Sequence, residues 1–284
     1  MESRASAKVG EALPAATGAL HAAGVESPGL DAELLLCEAT GWDRARIAAG
    51  PELRLPVGSS RRFSEMVRRR VRREPVAYIL GRRAFRRIEL LVDRQVLIPR
   101  PETELLVDVA VELSPRSVLD VGTGSGAIAL AIADELPGAR VRGIDTSAGA
   151  LRVAQANADR LGFDERVELV LRGINSLGKG AGDGSVDLLV ANLPYVSEAE
   201  WDGLEPEIRE YEPREALVAG PRGLEAIESL LGVLGGTEGR PAAIALEVGS
   251  GQADRVAALV RAAGYRRADL RADLAGIDRV VVGT

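Results

Sequence analysis

Asn192-Leu193-Pro194-Tyr195 is the tetrapeptide with the most chemistry in this sequence, and it follows an apolar run, Val186 to Ala191, that reads as a strand. A planar amide or exocyclic amine has its nitrogen lone pair delocalised and is a poor nucleophile. Two hydrogen-bond acceptors aimed at its two N–H bonds fix such a group, favour a more tetrahedral nitrogen and stabilise the charge developing on it. The Asn192 side-chain carbonyl and a backbone carbonyl just after it can supply that pair. Pro194 stiffens the turn, and Tyr195 offers a ring on which a planar group can stack. Taken alone, the four residues also suit an ordinary strand-to-loop turn.

Some seventy residues upstream lies Asp120-Val-Gly122-Thr123-Gly124-Ser125-Gly126, between a strand and a helix. Its glycines let backbone approach a ligand closely. The loop also fits the dinucleotide pattern G-x-G-x-x-G/A, so by itself it is a weak signal. Two acids sharpen it. Asp120, near the end of the first strand, would repel a pyrophosphate but not a cationic amino-acid moiety. Asp145, at the end of the second, is placed for two ribose hydroxyls. Together they suit S-adenosylmethionine, whose sulfonium and ammonium are positive and which has no phosphates. With an activated methyl donor, the tetrapeptide needs no general base.

Composition agrees. The chain has one histidine, His21, and one cysteine, Cys37. Internal disulfides and cysteine-cluster metal sites are excluded, and a reducing cytoplasm is the natural setting. His21 lies in an Ala-rich helical stretch, where a structural role is expected. No apolar run reaches the roughly 20 residues of a membrane span. The net charge of −6 argues against a general nucleic-acid binder. It is unevenly placed, however. Thirteen arginines between Arg61 and Arg100 oppose four acids, a local +9. Either this is a solvated face in a protein that has nearly replaced lysine, or it is a patch facing an anionic partner.

The elements that must position these residues follow from periodicity. Residues 1 to about 74 read as helices: Ala5 to Ala23, a second opened by Ser27-Pro28 with Leu30, Leu34, Leu35 and Ala39 on one stripe, and Ser60 to Glu74 with Phe63, Met66, Val67 and Val71 on another. From Val76 to Pro99, the runs Val76 to Leu80 and Ile88 to Val92 around Gly81 predict a hairpin linker. After Pro101 strands and helices alternate, which predicts a parallel sheet covered on both faces with ligands at the carboxyl ends of its strands. Tyr265 to Leu270 and Asp278 to Val282 read as a terminal antiparallel hairpin, and 178–184 as a flexible loop.

Further segments carry a resemblance. They are Glu74-Pro75-Val-Ala-Tyr78-Ile-Leu-Gly81, Leu97-Ile-Pro-Arg100-Pro-Glu-Thr-Glu104, Val118 to Gly126, Tyr211-Glu-Pro-Arg-Glu-Ala-Leu217 and Leu246-Glu-Val-Gly249. In order and spacing the chain resembles the release-factor glutamine methyltransferases over nearly its whole length. The resemblance implies an α/β fold: a seven-stranded Rossmann-like class I methyltransferase sheet at 101–284, a small helical N-terminal substrate-recognition domain at 1–75 and a β-hairpin linker at 76–100. It implies methyl transfer from S-adenosylmethionine to the glutamine of the Gly-Gly-Gln loop in class I peptide-chain release factors. Gly122, Thr123, Gly124, Ser125, Gly126, Asp145, Ile174 and Asn192 would hold the cofactor. Asn192, Leu193, Pro194 and Tyr195 would hold the glutamine amide, with Asn192, Pro194 and Tyr195 catalytic and no metal. A cytoplasmic monomer is expected, with no membrane association and no stable nucleic-acid complex.

Two positions depart from the family's pattern. Leu193 stands where it usually has proline, a form also seen in enzymes that methylate adenine in ribosomal RNA; an adenine-N6 RNA methyltransferase is therefore the alternative. Gly173-Ile174 stands where the family has an acid and a large apolar residue. Gly173 cannot accept from an adenine amino group, while Ile174 can still pack on the ring. A binding module that lost its chemistry would be consistent with Gly173. A dehydrogenase is disfavoured by Asp120 and by the lack of a proton-transfer residue near the tetrapeptide.

Overall fold

The computed structural model describes residues 7–177, 186–235 and 240–284. The expected flexible loop at 178–184 and the first two residues of the expected Ala5 helix lie outside the described residues. The chain divides into two compact units, the first reaching Gly81 and including Glu205–Tyr211, the second formed by Arg82–Leu204 and Glu212–Thr284.

The first unit is built from helices Val9–Ala22, Pro28–Thr40, Arg44–Ala49, Ser59–Val71 and Val76–Leu80, with Pro206–Tyr211 added later in the chain. Leu20, Leu35, Leu36, Ile47 and Phe63 form its core. The apolar stripes are narrower than expected: Leu30 and Val71 are exposed, and Ala32 and Leu36 take the buried face of their helix. Asp43 caps Arg44–Ala49 by accepting from the Arg46 amide at 2.7 Å.

Val76–Leu80, expected as a strand, is a short helix. Pro75 enters it with φ fixed near −57°, Gly81 ends it in the left-handed region at φ 73°, and Tyr78 and Ile79 are buried. Its β-branched and aromatic residues follow tertiary packing rather than propensity. The expected strand at Ile88 is present as β2 (Ile88–Leu91), but its antiparallel hairpin partner is β1 (Arg82–Phe85) and not Val76–Leu80. Arg86 turns the corner at φ 52°. Its backbone amide is taken by Glu104 and its guanidinium by Glu135 and Asp108.

In the second unit the remaining strands are β3 (Ser117–Val121), β4 (Arg140–Asp145), β5 (Val167–Leu171), β6 (Leu188–Ala191), β7 (Val196–Ser197), β8 (Val218–Gly220), β9 (Ala243–Glu247), β10 (Ala268–Ala272) and β11 (Asp278–Gly283). Seven form one sheet in the order β10-β11-β9-β6-β3-β4-β5. It is parallel except for β11, which pairs antiparallel with both β9 and β10, so the terminal hairpin is present as expected. Strand residues alternate between two cores. Val118, Leu188 and Val190 pack with helices Glu104–Leu113 and Ala127–Glu135, whereas Leu119, Val121 and Leu189 pack with Glu225–Gly235 and Ala253–Ala262. From β3 the order runs outward to β4 and β5 on one side and to β6 and β9 on the other. The crevice at the carboxyl ends of β3 and β6 is therefore the switch point where such sheets hold ligands. Among the described residues, no helix is long and apolar enough to cross a membrane.

The basic stretch is largely answered by acids within each unit. Arg61 pairs with Glu65, Arg62 with Glu38, Arg69 with Glu74, Arg70 with Asp31 and Glu207, and Arg73 with Glu205 and Glu207. In the second unit Arg82, Arg86, Arg87 and Arg100 are also ion-paired. The formal +9 of this segment is thus not a field of free cations, and a patch facing an anionic partner has little left to stand on.

Candidate active site

A cavity of about 300 Å³ opens at the carboxyl ends of β3, β4 and β6. Its wall brings together Gly122, Thr123, Gly124 and Ser125 from the glycine turn, Asp145 from β4, Ile174, and Asn192, Leu193 and Pro194 from the turn after β6. Segments 95–99 and 213–216 contribute further wall, through Val96, Pro99 and Ala216 among others. Gly126 and Tyr195 are not part of this lining.

Backbone geometry explains the glycines. Gly122 (φ 77°) and Gly126 (φ 82°) adopt left-handed conformations that L side chains rarely take. A Cβ on Gly126 would also come within 2.9 Å of Leu130, so this residue acts by letting the helix Ala127–Glu135 pack. Asp145 is fixed by backbone donors: Oδ2 accepts from the Gly124 amide at 2.9 Å, and Oδ1 from the Ser147 amide at 2.8 Å. Its carboxylate still has lone pairs for hydroxyls in the cavity. Gly173 and Ile174 both line the wall; the Gly173 carbonyl accepts from the Ser176 hydroxyl at 2.6 Å.

Asp120 does not face the cavity. It points to the opposite side of β3, is 0 % exposed, and accepts from the Thr123 hydroxyl at 2.7 Å and the Ala129 amide at 3.2 Å. The alternation of the strand sends its side chain under the glycine turn, which it braces from below. Burial pushes its carboxyl up to about 7, against these two hydrogen bonds. Asp120 therefore braces the glycine turn and does not meet the ligand's charge.

Asn192 is oriented by a residue that spacing did not reveal. Its Nδ2 donates to the Thr103 hydroxyl at 3.0 Å, and Thr103 is buried in the turn Pro101–Thr103. Tyr195, expected to offer its ring to a substrate, lies outside the wall. Its backbone carbonyl accepts from the Gln252 side chain at 2.9 Å, and its ring comes close to Gly249. Burial pushes its hydroxyl up to about 12, with the nearby Glu247 adding to the rise. Glu247 itself is 2 % exposed. Burial raises its carboxyl to about 7, while interactions with the Thr103 and Tyr195 hydroxyls work the other way. A lone acid in the apolar run Ala243 to Val248 was the signal in the sequence.

Leu193 is buried, and its Cδ2 would touch a Cβ on Gly122 at 3.4 Å. The leucine therefore seals the glycine turn against the tetrapeptide. The second wall segment is pinned by Glu212, which accepts from the Ile98 amide at 3.1 Å and from Arg100 at 2.5 Å. A narrow pocket with a fixed carboxylate for hydroxyls, an apolar flank at Ile174 and closely approachable backbone at Gly122 fits the nucleoside and amino-acid parts of S-adenosylmethionine. Among the described residues no group of acids, histidines or cysteines could hold a metal.

The chain resembles known proteins over most of its length. Residues 11–81 match the PrmC N-terminal domain and residues 114–221 a methyltransferase domain. A release factor glutamine methyltransferase of Caulobacter vibrioides is 42 % identical over 96 % of this chain and 95 % of its own length. One from Moorella thermoacetica is 41 % identical over 95 % of each chain. Among solved structures, the catalytic domain of human METTL16, crystallised with an RNA hairpin, superposes with a TM-score of 0.57 at 14 % identity, covering 69 % of this chain and 75 % of that one. At that identity it speaks for the fold alone. With close relatives spanning nearly its whole length, the chain belongs to the family of release factor glutamine methyltransferases, enzymes that use S-adenosylmethionine as methyl donor.

Proposed function

We propose that this chain methylates the side-chain amide nitrogen of the glutamine in the Gly-Gly-Gln loop of class I peptide-chain release factors. The observation that carries the reading is that Asn192, Leu193 and Pro194 share one cavity with Gly122, Gly124 and Asp145. S-adenosylmethionine, when bound, supplies a methyl group already activated by its sulfonium. Asp145 holds ribose hydroxyls, the Gly122 to Ser125 backbone cradles the cofactor, and Ile174 packs on its base. Asn192 Oδ1 and the backbone carbonyl of Leu193 accept from the two amide hydrogens and so position the nitrogen. The Leu193 side chain leaves that carbonyl in place, so the departure from proline keeps the acceptor pair. Pro194 stiffens the turn, and Tyr195, next along the chain, offers its ring to the planar amide. The first unit recognises the release factor; the enzyme works as a cytoplasmic monomer and keeps no stable hold on nucleic acid.

The test is single-turnover transfer of labelled methyl to a release factor and to its Gly-Gly-Gln→Gly-Gly-Ala variant. Only the first is expected to be labelled. Asn192→Ala should slow that labelling by roughly 100-fold or more, the scale of losing one oriented transition-state partner. Equal labelling of both proteins would remove glutamine as the acceptor, and labelling of ribosomal RNA instead would transfer the case to adenine.

A further inference from the structure

An asparagine carboxamide that must present its oxygen to a substrate has a difficulty: rotated by half a turn it presents an NH2 group of nearly the same shape. A donor facing the substrate's own N–H bonds would repel it. Something must therefore distinguish the two ends of Asn192, and the structure contains a group able to do so.

The sheet register brings it there. β6 and β9 are parallel neighbours with Ala191 opposite Leu246. One residue further along each strand, Asn192 stands beside Glu247 on the same face of the sheet. Thr103 completes the set, its hydroxyl accepting from Asn192 Nδ2 at 3.0 Å and interacting with the Glu247 carboxylate. Thr103 and Glu247 are 3 % and 2 % exposed, so bulk water does not substitute for either. Neither Glu247 nor Tyr195, whose hydroxyl also interacts with that carboxylate, lines the cavity.

A threonine hydroxyl has one proton. If that proton goes to a carboxylate, the oxygen can only accept from Asn192, and the carboxamide is held with nitrogen inward and oxygen toward the cavity. If the carboxylate is absent, the same proton is free to donate to Asn192 Oδ1, and both orientations become available. We propose that Glu247, acting through Thr103, is a positioning residue that sets the direction of the Asn192 carboxamide and so defines the acceptor presented to the substrate. One oxygen of that carboxylate, Glu247 Oε2, has no hydrogen-bond partner among the described residues. A buried carboxylate with a vacant oxygen is costly to keep, which calls for a reason beyond packing. The charged groups that act on it are Glu102, which disfavours its ionisation, and Arg279, which favours it.

This inference rests on the proposed glutamine methylation, and its test separates the two. Rates of methyl transfer to a release factor at saturating cofactor, and cofactor affinity by calorimetry, are measured for Glu247→Leu, Glu247→Gln, Thr103→Val and Thr103→Ser. A wild-type protein that does not label the release factor defeats the functional reading before any variant is compared. With an active wild type, Glu247→Leu and Thr103→Val are expected to lower kcat roughly 10- to 100-fold, a fraction of the loss from deleting an oriented acceptor. Cofactor affinity should change less than about twofold, because Asp145 and the glycine turn are untouched. Thr103→Ser, which keeps the hydroxyl, should restore most of the rate, and Glu247→Gln should retain more than Glu247→Leu. The proposal is overturned if folded Glu247→Leu or Thr103→Val turns over like wild type. It is equally overturned if the loss of rate is matched by loss of cofactor affinity, or if serine at 103 is no better than valine. Should Glu247→Leu fail to fold, the valine and serine pair at 103 decides.

Discussion

Arg100→Met offers a sharp test of how the cavity wall is held. The Glu212 side chain is 1 % exposed, and the Arg100 side chain 30 %. Glu212 spends one oxygen on Arg100 at 2.5 Å and the other on the Ile98 amide at 3.1 Å. At a charge separation of about 4 Å and an effective dielectric constant of about 20, the gross attraction is about 4 kcal/mol. Desolvation of the carboxylate offsets most of that in the intact pair. Removing only the arginine leaves the desolvation cost without the attraction, and breaking buried pairs in this way costs about 3–5 kcal/mol. Because Arg100 is partly exposed, water can enter where it stood, and about 2–3 kcal/mol is the expected loss. Glu212→Gln should cost less, about 1 kcal/mol, since an amide oxygen still serves Ile98 and the partly exposed guanidinium can rehydrate. Adding Glu212→Gln to Arg100→Met should recover stability, because no charge is then stranded. Urea unfolding at neutral pH reads all three, and hydrogen exchange at the Ile98 amide reports the wall locally. The reasoning fails if Arg100→Met lies within about 0.5 kcal/mol of wild type, the size of an exposed pair, or if Glu212→Gln proves the more damaging of the two.

Two other predictions follow from fixed carboxylates. Asp145→Ala should weaken S-adenosylmethionine binding by about 1.5–3 kcal/mol, the worth of hydrogen bonds to a charged acceptor; calorimetry showing unchanged affinity would contradict the role given to β4's last residue. Asp120 and Glu247 both have carboxyls pushed by burial up to about 7, from ordinary values near 4. A raised carboxyl pKa means the folded state holds its proton longer than the unfolded chain does. The stability this contributes is full below about pH 4 and is lost as pH rises to about 7. At 1.36 kcal/mol per pKa unit the loss is about 3–4 kcal/mol for each group. Asp120→Asn or Glu247→Gln should therefore flatten the decline of melting temperature between pH 5 and 7 on a buffer series, and an unaltered slope in both variants would show that neither group titrates there.

Legibility in the sequence followed the range of the interactions. The glycine turn, Asp145 and the Asn192 tetrapeptide are local motifs bounded by strand patterns, so their meeting at one sheet edge could be read from strand order alone. One strand of the hairpin was misplaced because Val76 to Leu80 has strand-like residues, while its helix is decided by Pro75, Gly81 and burial of Tyr78 and Ile79. The true strand Arg82–Phe85 is disguised by its arginines, of which Arg82 pairs with Glu89 on the neighbouring strand. Asp120 shows a subtler failure. Its position near the end of β3 was right, but a strand has two faces, and only the packing of Ala127–Glu135 reveals which one this side chain occupies. The same holds for Thr103 and Glu247, which are separated from Asn192 by 89 and 55 positions in the sequence and adjoin it only through the sheet. What spacing can identify is the group that touches the substrate. The residues that decide how that group is turned are brought to it by tertiary register, and a solitary acid in an apolar strand is the trace they leave in the sequence.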